Sequence, residues 1–257
     1  MRFSFTVQFR DHDRLTFVGF VLLASDCEVM MSVIRVPYTI FTRIPVYVDA
    51  DGKVFTDDLW QKDLELHFGY IEDLWLCCPV LPIAIAPKEV KAVSGIDISK
   101  VIALRKDGGW ISVAKNLIPN FRQVAVALRK TNIAHSGGAG WAFPLSFYIL
   151  ALRPFMRFQW VVVIESSFWM KPTAHRPSIR QWVEHNAHFF FLRAALHRAD
   201  ARIFTQKGYQ RLFHIGDERS LINPAIWVDE ERIISKENHR KRILALSDGE
   251  IRFLFPA

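Results

Sequence analysis

The chain has 257 residues, 51% of them hydrophobic, which suffices for one large or two small domains with a buried core and excludes a disordered protein. Its net charge of +7 and pI near 9.4 favour a phosphate-rich ligand or an anionic membrane surface; the Lys and Arg are scattered, and with no zinc-finger spacing or aromatic RNA-binding signature nucleic acid is not expected as a partner. Three cysteines, two of them adjacent at Cys77 and Cys78, make no disulfide framework and suit a reducing, cytoplasmic compartment, and no uninterrupted apolar run reaches the roughly 20 residues that span a bilayer.

Residues 1–43 carry apolar stretches (FSFTV, LTFVGFVLL, MMSVI) without a βα rhythm and form an unplaced N-terminal extension. Arg10, Asp11, Asp13 and Arg14 interrupt them where the apolar core of a signal peptide would continue. From residue 44 to 228, short apolar runs alternate with helix-length segments at intervals of roughly 30 residues, the pattern of βα units around a parallel sheet. The expected fold is therefore α/β, a Rossmann-like parallel sheet flanked by helices. IPVYV at 44–48 is expected as its first strand, with Pro45 at an edge or entry position. A helix follows, capped by Thr56, with Asp57 and Asp58 in its first turn and Trp60, Leu64, Phe68 and Ile71 as its buried stripe. LWLCC at 74–78 and VIAL at 101–104 read as strands, and 110–130 reads as two helices because Pro119 interrupts it. NIAH at 132–135, WVVVI at 160–164 and ARIF at 201–204 complete the expected strands. Between the last two, a helix opens at Ser178, burying Trp182, Phe189, Leu192 and Leu196. IRFLF at 251–255 is a terminal strand that either joins this sheet or opens a further domain.

The most informative stretch is NIAHSGGAGWAFPLS at 132–146. It sets His135 at the carboxyl end of a strand and follows it with a loop containing Gly137, Gly138 and Gly140. Ligands of open α/β sheets bind outside the carboxyl ends of the strands, and glycines let a ligand approach the backbone; a tight turn with a hydrogen-bonded histidine fits the same residues. The loop is not a dinucleotide fingerprint, because no third glycine follows Gly140 at the required place. Glu165 ends the next strand and would emerge on the same sheet edge as His135, either in the site or in loop hydrogen bonds. His185 and His188 have a helical spacing that can serve a metal, but HExxH is absent and solvated histidines fit better, so no metal is expected. No GxSxG nucleophile elbow accompanies His135-Ser136-Gly137-Gly138, which weighs against a hydrolase.

Four segments in order resemble the glycosyltransferase group 1 family, the retaining sugar transferases of GT-B type: VYVDADGKVFTDDLWQKDLELHFGYIEDLWLCCPV at 46–80, NIAHSGGAGWAFPLS at 132–146, DARIFTQKGYQRLF at 200–213 and INPAIWVDEERI at 222–233. The resemblance implies the N-terminal half of a GT-B architecture, spanning 44–228, with 229–257 as a linker and the first strand of a donor-binding domain that is cut short. It makes His135 the acceptor-side histidine that organises the transition state, places Gly137, Gly138, Gly140 and Glu165 along the substrate cleft, and puts the family's phosphate-approaching loop near Asp49 to Thr56, where Gly52 stands without a second glycine. The implied partners are a nucleotide sugar, a sugar or lipid-linked acceptor, the inner face of a membrane and a separate C-terminal half without which the chain would be inactive; no cofactor is implied. A non-catalytic Rossmann-like binding module is the alternative expectation.

Overall fold

The computed structural model describes residues 3–10, 15–22, 33–87, 89–138, 143–165 and 179–223, with the backbone alone for the first two stretches and for residues 180 and 181. Ten of its strands form one sheet: β3 (Tyr38–Phe41), β4 (Val46–Val48), β5 (Lys53–Asp57), β6 (Leu74–Pro82), β7 (Val90–Asp97), β8 (Val101–Leu104), β9 (Ile133–Gly137), β10 (Gln159–Ile164), β11 (Ala201–Phe204) and β12 (Ser220–Ile222). The other two, β1 (Phe3–Arg10) and β2 (Leu15–Leu22), pair with each other as an antiparallel hairpin, Phe3 opposite Leu22. Five helices accompany them: α1 (Asp58–Phe68), α2 (Trp110–Lys130), α3 (Leu145–Leu152), α4 (Ile179–Arg198) and α5 (Lys207–Leu212).

Seven strands are parallel neighbours in the order β8-β6-β3-β9-β10-β11-β12. Counted along the chain, β3 is the first of these seven, so the order is 3-2-1-4-5-6-7, the Rossmann arrangement extended by one strand. The reversal falls between β3 and β9. At the end of β6 the sheet turns mixed: β4 runs parallel to it, Val46 opposite Val80, and β5 and β7 follow antiparallel.

The inner parallel strands β3, β6, β9, β10 and β11 are largely buried on both faces, which is why most of them read as nearly unbroken apolar runs. Side chains alternate between two cores. One core takes Cys77, Ala134, Trp160, Val162 and Ile164 and is closed by Val124 and Leu128 of α2, Ile149 of α3 and Leu192 and Leu196 of α4. The other takes Ile40, Leu76, Cys78, Ile133, Val161 and Val163 and is closed by Trp60 and Leu64 of α1. Cys77 and Cys78 therefore point to opposite faces, free and fully buried, and burial pushes the Cys78 thiol up to about 12. Within the core, wholly buried Trp160 donates from Nε1 to Ser136 Oγ at 2.9 Å.

Several sequence expectations are corrected. The first strand of the parallel sheet is β3, YTIF, inside the segment left unplaced; residues 44–48 contribute only the short β4, entered through Pro45. The cap of α1 is Asp57, whose carboxylate accepts the Trp60 N–H at 3.0 Å, while Thr56 is buried in β5 and donates to the Pro45 carbonyl. Residues 110–130 form one helix despite Pro119. Fully buried Asn120 accepts the Arg105 N–H at 2.8 Å and donates to the Arg105 carbonyl at 3.1 Å, tying the helix to the end of β8 directly after the proline. Trp182 is exposed and not buried. Ser178, and residues 224–257 with the expected terminal strand, lie outside the described residues.

Candidate functional site

β9 runs two residues past His135, so this histidine is in the middle of its strand, paired with Ile40 on one side and Val161 on the other, and is not at the carboxyl end expected from the sequence. Its side chain faces the core closed by α1. There the Tyr38 hydroxyl is 3.0 Å from His135 Nδ1, with the two rings edge-on at 5.9 Å. Burial, followed by the nearby Tyr70 and Asp63, pushes the Tyr38 phenol well above its usual range, so the hydroxyl keeps its proton and can donate it to Nδ1. With Tyr38 donating to Nδ1, the ring proton would be on Nε2. Burial, and secondarily His67, lowers the His135 pKa to about 3, which makes it a neutral imidazole at any physiological pH.

α1 supplies the remaining polar groups, none of which the sequence reading selected. His67 lies 5.8 Å from the His135 ring and 5.5 Å from the Tyr70 ring. Its Nδ1 donates to the Asp63 carbonyl at 2.7 Å and lies 3.6 Å from the Asp63 carboxylate. Asp63 itself is raised by burial, against the opposing pull of His67. The signal that could have revealed this cluster is the series 60, 64, 67: His67 continues the buried stripe of Trp60 and Leu64 on α1 at helical spacing.

Glu165 directly follows β10, on the same parity as Val161 and Val163 and hence on the same sheet face as His135. Val161 is level with His135, so Glu165 lies four residues, roughly 13 Å, farther toward the carboxyl edge. The structure thus puts the two predicted residues on one face but at different heights. Glu165 retains an exposed surface, yet the protein crowding around it, and then the Asp63 carboxylate, raise its pKa. Two carboxyls that both resist ionisation, on the same sheet face as a neutral imidazole, can bind and polarise hydroxyl groups.

Gly137 and Gly138 have structural roles in the sheet. Gly137 is paired with Val163 inside β9. The Gly138 N–H donates to the Val163 carbonyl at 2.7 Å, and a Cβ there would overlap the δ-methyls of Ile164 and Leu192. Gly138 therefore permits close packing of α4 on the sheet. Gly140 lies outside the described residues. The stretch from Asp49 to Thr56 is a hairpin: the Asp49 carboxylate accepts the N–H groups of Asp51 and Lys53, Gly52 has φ +80°, and β5 returns antiparallel before α1 opens at Asp58. The loop that does follow the first parallel strand contains Arg43, whose guanidinium pairs with buried Asp107 and donates to the Phe143 carbonyl at 2.5 Å. With these partners it acts as a strut across the switch point.

His188 is buried 5.6 Å from the Phe147 ring, not solvated, and no group of three potential metal ligands occurs among the described residues. No described helix is long and apolar enough to cross a membrane. No family model matches the sequence, and no curated protein matches it either.

Proposed function

We propose that this α/β domain is the acceptor-side half of a retaining glycosyltransferase of GT-B type, working with a donor-binding domain to move a sugar from a nucleotide sugar to a polysaccharide or lipid-linked acceptor in the cytoplasm, at the inner face of the membrane. The observation that carries this reading is His135 on the fourth parallel strand, beside the topological switch point, held neutral and hydrogen-bonded to Tyr38 through Nδ1. A neutral donor of this kind hydrogen-bonds a sugar hydroxyl without competing as a base, and the raised carboxyls of Asp63 and Glu165 supply complementary acceptors and a proton. His135 would position the reacting groups and not attack them.

Calorimetry tests the reading. Acceptor glycans and their polyprenyl-phosphate forms should bind the wild-type chain, and His135→Ala should weaken that binding by roughly tenfold, the worth of one or two hydrogen bonds to a neutral partner. Nucleotide sugars should bind weakly. Micromolar nucleotide-sugar affinity would mean that the donor is held here, and absence of any glycan binding would sink the proposal. The position of His135 in mid-strand, beside the α1 residues His67 and Asp63, favours a second reading, a non-catalytic binding module. In that case glycan binding survives and transfer is absent even with a donor-binding half supplied.

A further inference from the structure

The outer flank of α2 has an arrangement that neither the fold nor the site explains. Across its 21 residues it carries Lys115, Arg122, Arg129 and Lys130 and no acidic side chain. Ile111, Ile118 and Ala125 recur every seven residues, and Lys115, Arg122 and Arg129 recur at the same interval four positions later. On an α-helix two rows offset by four lie side by side. Ile111 is 75% and Ile118 63% exposed, far beyond what the amphipathic packing of a helix on a sheet requires. The three cations of the second row are exposed and make no ion pair among the described residues. Beside the apolar row, α2 and α3 enclose an apolar groove of about 300 Å³, lined by Leu117, Ile118, Phe121, Phe143, Phe147 and Ala151. Arg105 and Lys106, both exposed, extend the positive charge past the helix N-terminus.

We propose that this flank of α2 is a docking surface for an anionic lipid bilayer, with the isoleucine row at the acyl boundary, the basic row on the lipid phosphates and the α2–α3 groove receiving an acyl chain. A helix lies in a membrane interface when it joins exposed apolar side chains to an adjacent line of cations. The charge decides among occupants. A second copy of the chain would face cations with cations, because the flank has no carboxylate to answer them. A nucleic acid would satisfy the cations but leave Ile111 and Ile118 in water. An anionic bilayer satisfies both rows at once. The proposal does not depend on the glycosyltransferase reading, since it concerns the opposite sheet face from the one that carries His135.

Flotation of the full chain with vesicles provides the test. Binding is expected to vesicles of phosphatidylcholine mixed with phosphatidylglycerol, to weaken with added salt, and to be at least roughly tenfold weaker on phosphatidylcholine alone. The pairs Ile111→Asp with Ile118→Asp, and Lys115→Glu with Arg122→Glu, should each weaken binding by roughly tenfold or more, while circular dichroism and melting stay unchanged because all four side chains are exposed. Lys207→Glu with Arg211→Glu makes the same charge change on exposed positions of α5 and should leave binding within roughly twofold. The proposal is overturned if the wild-type chain ignores anionic vesicles, or if the α2 pairs bind like wild type. It is equally overturned if the α5 pair loses as much as the α2 pairs, which would reduce the effect to net charge, or if light scattering shows the α2 pairs dissociating a dimer that never bound lipid.

Discussion

His135 combines a fixed hydrogen bond with a proton affinity that folding suppresses, and this has a thermodynamic signature. In the unfolded chain it titrates near 6.5, and in the folded protein burial lowers that value to about 3. Between these two values the unfolded state binds the proton and the folded state does not, so this residue favours unfolding progressively as pH falls from 6.5 toward 3 and has no such effect above 6.5. His135→Gln removes the titration and leaves a polar side chain in place. Urea unfolding of both proteins from pH 7 to pH 4 should show wild type losing stability faster, with the difference growing steadily below pH 6.5; parallel curves would show that His135 is not excluded from protonation. The neighbouring Tyr38 cannot produce the same signal, because its raised pKa puts its titration far into the alkaline range.

At the scale of elements, α2 shows how tertiary contacts outweigh local preference. Pro119 has no N–H to give to the carbonyl four residues earlier, and its ring crowds that carbonyl, at a cost of about 3 kcal/mol in an ordinary helix interior. The helix nevertheless continues, because Val113 before the proline and Asn120, Val124 and Leu128 after it are all buried, Val124 and Leu128 in the core on one face of the sheet. Pro119→Ala should therefore stabilise the protein by about 1–3 kcal/mol, recovering the missing hydrogen bond and relieving the crowding without disturbing the partly exposed site. The urea midpoint measures this, and a lower midpoint would mean that a proline-induced bend is needed for the Asn120 contacts to Arg105. β6 makes the complementary point. Its first half pairs with β3 and β8, and its far end carries β4, so one nine-residue strand joins the parallel sheet to the antiparallel extension.

For the molecule as a whole, β6 is also the place to measure global stability. Cys77 faces the core under α2, α3 and α4, and Cys78 faces the core under α1, so neither thiol reaches solvent unless one of the two layers comes off. In a Cys27→Ser background, labelling of these two thiols by a disulfide reagent should be slow, and its urea dependence should match that of global unfolding. Rapid labelling with little urea dependence would reveal a layer that opens on its own. The same two-layer construction separates the proposed activities: hydroxyl recognition around His135 uses the face under α1, and bilayer contact uses the outside of the helices on the other face.

The α/β class and five of the seven parallel strands were legible in the sequence because strands buried on both faces must be apolar throughout, a property that a linear run of residues displays directly. Cys77 and Cys78 show the same thing in miniature: adjacency on a strand already implies opposite faces. The strand β3 was not legible. YTIF is four residues long, has a threonine in it, and differs little from the other apolar stretches before residue 44; it is central only because β6 and β9 pair with it from 33 and 92 residues away, counted from Phe41 to Leu74 and to Ile133. Of the candidate site, Glu165 could be chosen for following a strand and His135 for a strand end that the structure sets two residues farther on, whereas Tyr38, Asp63 and His67 could not, since each alone is an ordinary strand or helix residue. What brings them together is the crossover that lays α1 on the same face as His135. Sequence determines which side chains are available and which faces they take; the order in which strands meet, 3-2-1-4-5-6-7, decides which of those faces converge, because pairing between distant strands is settled by the packing of whole layers and leaves no local trace in the chain.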